Sequence, residues 1–130
     1  MTNSQTETLS PCLIVIFGAS GDLTKRKLIP ALHDLYSRKL LPESFAVVGT
    51  SRTKMTDDEF RGELYEFSKK KYKDEAQWKQ FADHVYYHPG DATKSADMPA
   101  LKKRLEELAA RHGTGQNFIF YLSMAPQFFE

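Results

Sequence analysis

The stretch that decides the fold is Val15-Ile16-Phe17-Gly18-Ala19-Ser20-Gly21-Asp22-Leu23-Thr24-Lys25-Arg26-Lys27-Leu28. An apolar run ends at Gly18, a second glycine follows at Gly21, and a cationic cluster then opens an amphipathic segment. This order predicts a buried strand that turns into the start of a helix. Backbone amides at such a helix start are a common binding site for the diphosphate of a nucleotide.

The two glycines predict specific roles within this turn. Gly18 permits a tight turn, Gly21 lets the backbone approach phosphates, and the amides of residues 19 to 23 are expected to donate to a diphosphate. The spacing is G-x-x-G rather than G-x-G-x-x-G, with Thr24 in the place of a third glycine. No Gly-Lys-[Ser/Thr] of a phosphate-loop NTPase follows. Glycines in a strand-to-helix turn are equally often simple turn residues, so the motif alone leaves both interpretations open.

Apolar periodicity along the rest of the chain predicts an α/β fold. Nearly continuous apolar runs, typical of buried parallel strands, occupy residues 12–17, 45–48, 85–88 and 117–122. Segments with helical spacing separate them, which favours right-handed crossovers and a parallel sheet. We therefore expect a Rossmann-like, doubly wound parallel sheet that is truncated at about four strands, where a complete dinucleotide domain has about six.

Local signals predict where the helices begin and end. Pro30 should interrupt a short helical turn and restart a helix in its own first turn. Thr56 and Glu59 form a capping-box pattern. Ser95 is expected to cap a helix that carries Leu101, Leu105 and Leu108 and that ends at Gly113.

Composition bounds the class of protein. The 130 residues are 41% hydrophobic and 27% charged, and the formal net charge of +1 gives no general attraction to nucleic acid or to a membrane surface. No apolar run approaches the roughly 20 residues of a membrane span. The lone Cys12 excludes an internal disulfide and suits a cytoplasmic location. Residues 1–10 are expected to be a flexible tail before a domain at 11–130. An apolar helix without a stop signal starts at 127–130, which favours a piece of a longer protein over a small complete domain.

The residues after the second strand discriminate between cofactors. An acidic residue there binds the adenosine ribose of NAD, whereas an arginine pairs with the 2′-phosphate of NADP. The chain reads Gly49-Thr50-Ser51-Arg52-Thr53-Lys54, with no acid before Asp57. We expect Arg52 to be a phosphate clamp, with added hydroxyl donors from Thr50 and Ser51, although a surface arginine in a loop is common.

Asp91 and the histidines are the remaining polar residues with potential for chemistry. Asp91 follows the third strand at the same edge of the sheet and is placed to accept from an adenine amino group, or is simply a turn residue. The four histidines show no metal-ligand spacing, so no metal site is predicted. No nucleophile and base stand together in the sequence.

With these residues in hand, the chain resembles the glucose-6-phosphate dehydrogenases. The resemblance runs from about Leu13 to the last residue, and Thr24 stands where many members have alanine. Its most specific part is the Gly-x-x-Gly-Asp-Leu-x-Lys-[Arg/Lys]-Lys stretch. The matching segments are Gly18-Ala19-Ser20-Gly21-Asp22-Leu23-Thr24-Lys25-Arg26-Lys27-Leu28, Val48-Gly49-Thr50-Ser51-Arg52, Asp58-Glu59-Phe60 and Phe120-Tyr121-Leu122-Ser123-Met124-Ala125-Pro126, together with Pro30.

The resemblance implies NADP-linked oxidation of glucose 6-phosphate at C1, the entry step of the pentose phosphate pathway. It implies a diphosphate turn at Gly18, Ala19, Ser20, Gly21, Asp22, Leu23, Thr24 and Lys25. It implies a 2′-phosphate contact at Arg52, adenosine contacts at Asp91 and Ala92, and a nicotinamide-side wall at Tyr121 and Pro126. Lys27 resembles the lysine that bridges cofactor and sugar substrate.

The resemblance also implies parts that the 130 residues do not contain. The Glu-Lys-Pro substrate motif, the Arg-Ile-Asp-His-Tyr segment with its catalytic histidine, and the antiparallel-sheet domain of a homodimer or homotetramer are not in the sequence. We therefore expect no catalytic residue in the chain and no turnover by it alone. Two alternatives stay open, a short-chain-type reductase or epimerase and a stand-alone nucleotide-sensing module.

Overall fold

The computed structural model describes residues 11–19, 21, 24–42, 44–69, 75–91, 94–115 and 117–122. Its strands are β1 (Cys12–Phe17), β2 (Phe45–Ser51), β3 (Val85–Pro89) and β4 (Phe118–Leu122). Its helices are α1 (Ile29–Ser37), α2 (Asp57–Ser68), α3 (Glu75–Ala82) and α4 (Met98–His112). A π-helical turn, Thr24–Leu28, runs into α1, and a 3₁₀ turn, Ser95–Asp97, runs into α4.

The four described strands form one parallel sheet in the order β3-β2-β1-β4. This confirms the predicted α/β fold with a Rossmann-like sheet. In the register, Phe17 of β1 lies beside Thr50 of β2 and Leu122 of β4. Because all strands are parallel, their carboxyl ends meet at one edge. The strand order reverses at β1, so the turn after β1 lies at the switch point where such folds bind ligands.

Helices cover both faces of the sheet, which explains the nearly continuous apolar strands. On one face, Ile16 and Val47 pack with Phe60 of α2 and Phe81 of α3, and Ile29 of α1 joins this cluster. On the other face, α4 covers the sheet. The residues of that second cluster are Leu13, Val15, Phe17, Ala46, Val48, Tyr86, Leu101, Leu105 and Leu108.

The predicted capping box starts α2. The Thr56 hydroxyl accepts from the Glu59 amide at 3.1 Å, and the Glu59 carboxylate accepts from the Thr56 amide at 2.8 Å. Two backbone donors at the helix start are thereby satisfied. The box also fixes the end of the loop that leaves β2, which matters for the site below.

The helix starts at Pro30 and Ser95 differ from prediction. Pro30 lies in the first turn of α1 as expected, but a π-helical turn replaces the predicted break. The wider π-helical turn tolerates the missing N–H of proline and leaves room for its ring. Ser95 does not cap α4, because Pro99 favours a start one turn later at Met98 and Ser95 instead opens the 3₁₀ turn. Gly113 ends α4 as predicted, in the left-handed conformation at φ 68°.

The fourth strand forms where the sequence predicts it, but three of its apolar side chains are exposed, unlike those of β1 and β2. Ile119, Phe120 and Tyr121 are 47%, 56% and 43% exposed. Within the described sheet β4 is an outer strand, and α4 packs mainly over β1 and β2. Phe120 does contact β1, with its ring stacked 6.1 Å from that of Phe17.

The outer edge of β3 is closed by side chains of α2. The Tyr87 amide donates to the Asp57 carboxylate at 2.7 Å, and the Arg61 guanidinium donates to the Val85 carbonyl at 2.8 Å. Arg104 of α4 pairs with the other Asp57 oxygen at 2.9 Å. One outward amide and one outward carbonyl of this sheet edge are thus satisfied without another strand.

Gly49 in β2 tests how tightly the turn after β1 must pack. A Cβ at Gly49 would lie 2.6 Å from the Ala19 Cβ and 2.8 Å from a Phe60 ring carbon. We expect Gly49→Ala to lower the free energy of unfolding by about 1–3 kcal/mol through overpacking. Urea unfolding followed by circular dichroism measures this change.

Gly62→Ala is the matched control, since a Cβ there meets nothing within 4 Å on the exposed side of α2. It should raise stability by about 0.5–1 kcal/mol, because glycine is unfavourable inside a helix. Equal effects of the two substitutions would contradict the proposed close packing at Gly49.

Candidate functional site

The turn after β1 is anchored on β2. Gly18 has φ 79°, a left-handed conformation that glycine adopts without steric cost. The amides of Gly18 and Ala19 both donate to the Thr50 carbonyl, at 2.8 and 3.1 Å, and the Gly21 amide donates to the Gly18 carbonyl at 3.1 Å. Ala19 is fully buried. The turn is therefore rigidly attached to the strand that precedes Arg52.

These hydrogen bonds correct one part of the predicted phosphate turn. The amides of Ala19 and Gly21 were expected to donate to a diphosphate, but they are used within the protein. The reason is that the turn packs closely against β2, a contact between distant segments that the local glycine motif does not predict. Ser20, Asp22 and Leu23, the other expected donors, lie outside the described residues.

Gly21 differs from Gly18 because the backbone does not require a glycine there. Its φ is not left-handed, and the residue is exposed. Among the described residues, the atom nearest to an added Cβ is the Gly18 carbonyl oxygen at 3.5 Å, an ordinary contact. The missing side chain therefore leaves room above the turn, as the predicted approach of phosphates requires.

A groove of about 700 Å³ opens at the carboxyl edge of the sheet, beside the ends of β2 and β3. It is lined by Arg52 from the loop after β2 and by Gly90 and Asp91 from the loop after β3. The structure thus brings together the two residues that the sequence placed at this edge. Ala92, predicted beside Asp91, lies outside the described residues.

The charges of the groove favour an anion. Arg52, Lys54 and Lys94 line it, and none of these three side chains has an ion pair or hydrogen bond with any part of the chain that the structure describes. Three acids also line the groove. Of these, the Glu59 carboxylate accepts from a backbone amide in the capping box, and Asp97 accepts from the Asp91 amide at 2.8 Å. Guanidinium and ammonium groups that are free of ion pairs with the described residues are suited to phosphate.

His88 lines the same groove but adds little charge at neutral pH. Burial lowers its pKa below the ordinary value of 6.5, and the neighbouring Arg104 lowers that pKa further, against the opposite influence of Asp97. The attraction of the groove for an anion therefore rests on Arg52 and the two lysines.

The hydroxyl donors predicted beside Arg52 are not available. Thr50 is 4% exposed, and the Ser51 hydroxyl bonds to the hydroxyl of Tyr87. Side chains of neighbouring strands meet here, which the local sequence does not reveal. Tyr87 and Gly49 were both missed as residues that shape the site, since in sequence they read as a core aromatic and the end of a strand.

The residues of the cationic turn after Gly21 differ in burial and in their partners. The Lys25 ammonium pairs with Glu63 of α2 at 3.0 Å and is 20% exposed, so it holds the π-helical turn against α2 rather than standing open for a diphosphate. Thr24 is fully buried. Lys27 is exposed, as a contact to a bound substrate requires.

The predicted nicotinamide side of the site lies beyond β1. Tyr121 is in β4, paired with Ile16 and 43% exposed, and Pro126 lies outside the described residues. The described residues hold no group of three or more His, Cys, Asp or Glu able to bind a metal ion. No helix among them is long and apolar enough to cross a membrane.

The parallel sheet, its strand order and the glycine turn at the switch point define the nucleotide-binding half of a Rossmann-type domain. Residues 15–130 match the family model described as glucose-6-phosphate dehydrogenase, NAD binding domain. The chain belongs to this family, whose description names a nicotinamide dinucleotide as the bound cofactor.

Individual relatives agree with the family match. The chain is 41% identical to glucose-6-phosphate 1-dehydrogenase of Leuconostoc mesenteroides over 90% of its length, and 39% identical to that of Bacillus subtilis over 98%. These alignments cover 24% and 25% of the two relatives. The chain therefore spans about a quarter of the length of the curated relatives it matches.

Solved structures show the same fold. A glucose-6-phosphate dehydrogenase in complex with its substrate glucose 6-phosphate superposes with a TM-score of 0.81 at 33% identity, over 95% of this chain and 26% of the other. Glucose-6-phosphate 1-dehydrogenase from Mycobacterium avium gives a TM-score of 0.76 at 26% identity, over 92% of this chain and 25% of the other.

The structure disfavours the short-chain alternative. That class needs a Tyr-x-x-x-Lys pair at its active site, and the spacing occurs once in this chain, at Tyr65 and Lys69. Both lie at the carboxyl end of α2, which runs back from the edge that carries the groove. Lys69 pairs with Glu66 at 3.0 Å, and the Tyr65 ring lies 6.1 Å from that of Trp78.

Gly21→Ala separates a binding role of the turn from a folding role. We expect the variant to bind NADP about tenfold more weakly, a loss of ~1.4 kcal/mol, because the added methyl group occupies the space above the turn. Its urea midpoint should match that of the unmodified chain, since the backbone there accepts alanine. Calorimetric titration with NADP measures the affinity, with Gly62→Ala as the control. Unchanged affinity would contradict a close approach of the cofactor to Gly21.

Proposed function

We propose that the chain is the NADP-binding portion of a glucose-6-phosphate dehydrogenase. The whole protein would oxidise D-glucose 6-phosphate at C1 to 6-phospho-D-glucono-1,5-lactone, with reduction of NADP, in the pentose phosphate pathway. The observation that carries the proposal is the groove after β2, where Arg52, Lys54 and Lys94 form no ion pair with the described residues. It opens beside the glycine turn of a chain whose family binds a nicotinamide dinucleotide.

The preference for NADP over NAD rests on where the acids lie. A carboxylate after β2 would hydrogen-bond the adenosine ribose of NAD and would repel a 2′-phosphate. The first acid after β2 is Asp57, and both of its oxygens are occupied, by the Tyr87 amide and by Arg104. Asp58 pairs with Arg61 at 3.3 Å. Arg52 therefore faces the groove without a competing carboxylate from this loop.

The remaining predicted residues take roles around this clamp. The glycine turn would seat the diphosphate, Asp91 and Ala92 the adenosine, and Tyr121 with Pro126 the nicotinamide side. The bound cofactor would accept the hydride from C1 of the sugar, and Lys27 would reach from the π-helical turn toward the sugar phosphate. The base for the C1 hydroxyl proton is not among the residues assigned here.

Partners and location follow from the same proposal. Glucose 6-phosphate is the small-molecule partner of the whole protein, which would assemble as a homodimer or homotetramer. The net charge of +1 offers no attraction to nucleic acid or to membrane surfaces. Cys12 is free and buried, which suits a reducing, cytoplasmic location.

Arg52→Ala tests the phosphate clamp. Hydrogen bonds to a charged group contribute about 1.5–3 kcal/mol, so NADP affinity should fall roughly 10- to 100-fold while NAD affinity stays the same. Titration of both cofactors against both proteins measures the selectivity. Arg38→Ala is the matched control, since that arginine is exposed and pairs only locally with Asp34. An equal loss for NADP and NAD would refute the clamp.

Turnover tests the division between binding and chemistry. The purified 130-residue chain should form no NADPH from glucose 6-phosphate and NADP, because no general base is assigned to it. Absorbance at the nicotinamide band measures formation of NADPH, with a full-length relative as the positive control. Steady NADPH formation would overturn the assignment of the catalytic base to another part of the protein.

A further inference from the structure

A closed set of hydrogen bonds surrounds the residue proposed to clamp the 2′-phosphate. The Tyr87 hydroxyl of β3 contacts the Ser51 hydroxyl and the Thr53 carbonyl, and the Thr53 amide donates to the Ser51 hydroxyl at 3.3 Å. Ser51 and Thr53 are the immediate neighbours of Arg52 in the chain. The Tyr87 hydroxyl, the Ser51 hydroxyl and the Thr53 backbone therefore form a ring of hydrogen bonds. This ring joins the side chain of the residue before Arg52 to the backbone of the residue after it.

The directions of the hydrogen bonds in this ring are determined by the groups themselves. The Thr53 carbonyl only accepts, so the Tyr87 hydroxyl donates to it. The Ser51 hydroxyl then donates to the Tyr87 oxygen, and its own oxygen accepts from the Thr53 amide. Burial raises the pKa of the Tyr87 hydroxyl above its ordinary value of 10.0, so the donor stays protonated at neutral pH. The Tyr87 hydroxyl also lies 3.4 Å from the Ser51 carbonyl, a longer and weaker contact than the one to Thr53, so it is bonded to the backbone on both sides of Arg52.

Tyr87 itself is firmly held. It is 3% exposed, its ring lies 4.9 Å from that of Phe60, and its amide is bonded to Asp57. A side chain so buried acts on a ligand only through its neighbours. Beyond Thr53, the capping box at Thr56 fixes the other end of the loop. Arg52 thus extends from a short segment that is held at both ends.

We propose that Tyr87 is a positioning residue for cofactor selectivity, which holds the backbone on either side of Arg52 so that the guanidinium faces the 2′-phosphate of NADP. The inference rests on the proposed clamp at Arg52. A guanidinium binds phosphate through two parallel hydrogen bonds and therefore depends on orientation. Loss of the Tyr87 hydroxyl should affect binding of the 2′-phosphate and leave the parts shared by NADP and NAD intact.

The test is a double-mutant cycle on the full chain, with NADP and NAD titrated separately. Tyr87→Phe should weaken NADP about fivefold or more and leave NAD unchanged. In the Arg52→Ala background the same substitution should have no further effect on NADP. Tyr86→Phe is the matched control: it removes the neighbouring hydroxyl, which bonds His112 at 2.7 Å in the opposite layer.

The outcomes separate the two proposals. If Arg52→Ala weakens NADP selectively but Tyr87→Phe weakens both cofactors equally or neither, the positioning role is overturned and the clamp stands. If Arg52→Ala shows no selectivity, the clamp itself fails. Additive losses in the double variant also overturn the positioning role, because they would show that Tyr87 acts independently of Arg52.

Ser51 provides a second route if Tyr87→Phe does not fold. Ser51→Ala removes the hydroxyl that links Tyr87 to Thr53, whereas Ser51→Thr keeps it. A selective loss of NADP affinity in Ser51→Ala, with retention in Ser51→Thr, supports the ring as the orienting element. Equal NADP affinity in the two variants overturns it.

Discussion

The contact between Ala19 and β2 at Gly49 is the constraint on which the site depends. With no side chain at Gly49, Ala19 packs directly onto β2, and the amides of Gly18 and Ala19 reach the Thr50 carbonyl. The glycine turn and the Arg52 loop are consequently parts of one rigid unit. Only Thr50 and Ser51 separate Gly49, where the turn packs, from Arg52. In the proposed complex with NADP, the diphosphate above the turn and the 2′-phosphate in the groove would lie at a fixed spacing.

The net charge of the groove depends on its acids as much as on its arginine and lysines. Of the acids that line it, Glu59 accepts from the amide of Thr56 at the start of α2, and Asp97 accepts from the amide of Asp91 in the loop after β3. Glu59 and Asp97 thus use hydrogen-bonding capacity on backbone amides, although each keeps its negative charge. The cations form no ion pair with the described residues, so their donors stay available to a bound anion.

The sequence predicted the features that are local. Apolar runs gave the parallel strands, Thr56 and Glu59 gave the start of α2, and chain order placed Arg52 and Asp91 at one edge. It did not predict contacts that depend on the folded chain. These are the hydrogen bonds that occupy the amides of Ala19 and Gly21, the pairing of Lys25 with Glu63, and the hydrogen bonds of the Tyr87 hydroxyl. The exposure of β4 was missed because a strand's apolar composition does not show where it lies in the sheet.

The two margins of the sheet are chemically unlike. At β3, Asp57 and Arg61 bond the outward amide of Tyr87 and the outward carbonyl of Val85, so a further strand would have to displace these side chains. At β4, an apolar strand pairs only with β1 among the described elements. Growth of this sheet by strand addition is thus directional. Addition of a strand therefore costs less at β4, the margin farther from the groove beside β2 and β3, than at β3, where side-chain hydrogen bonds would first have to break.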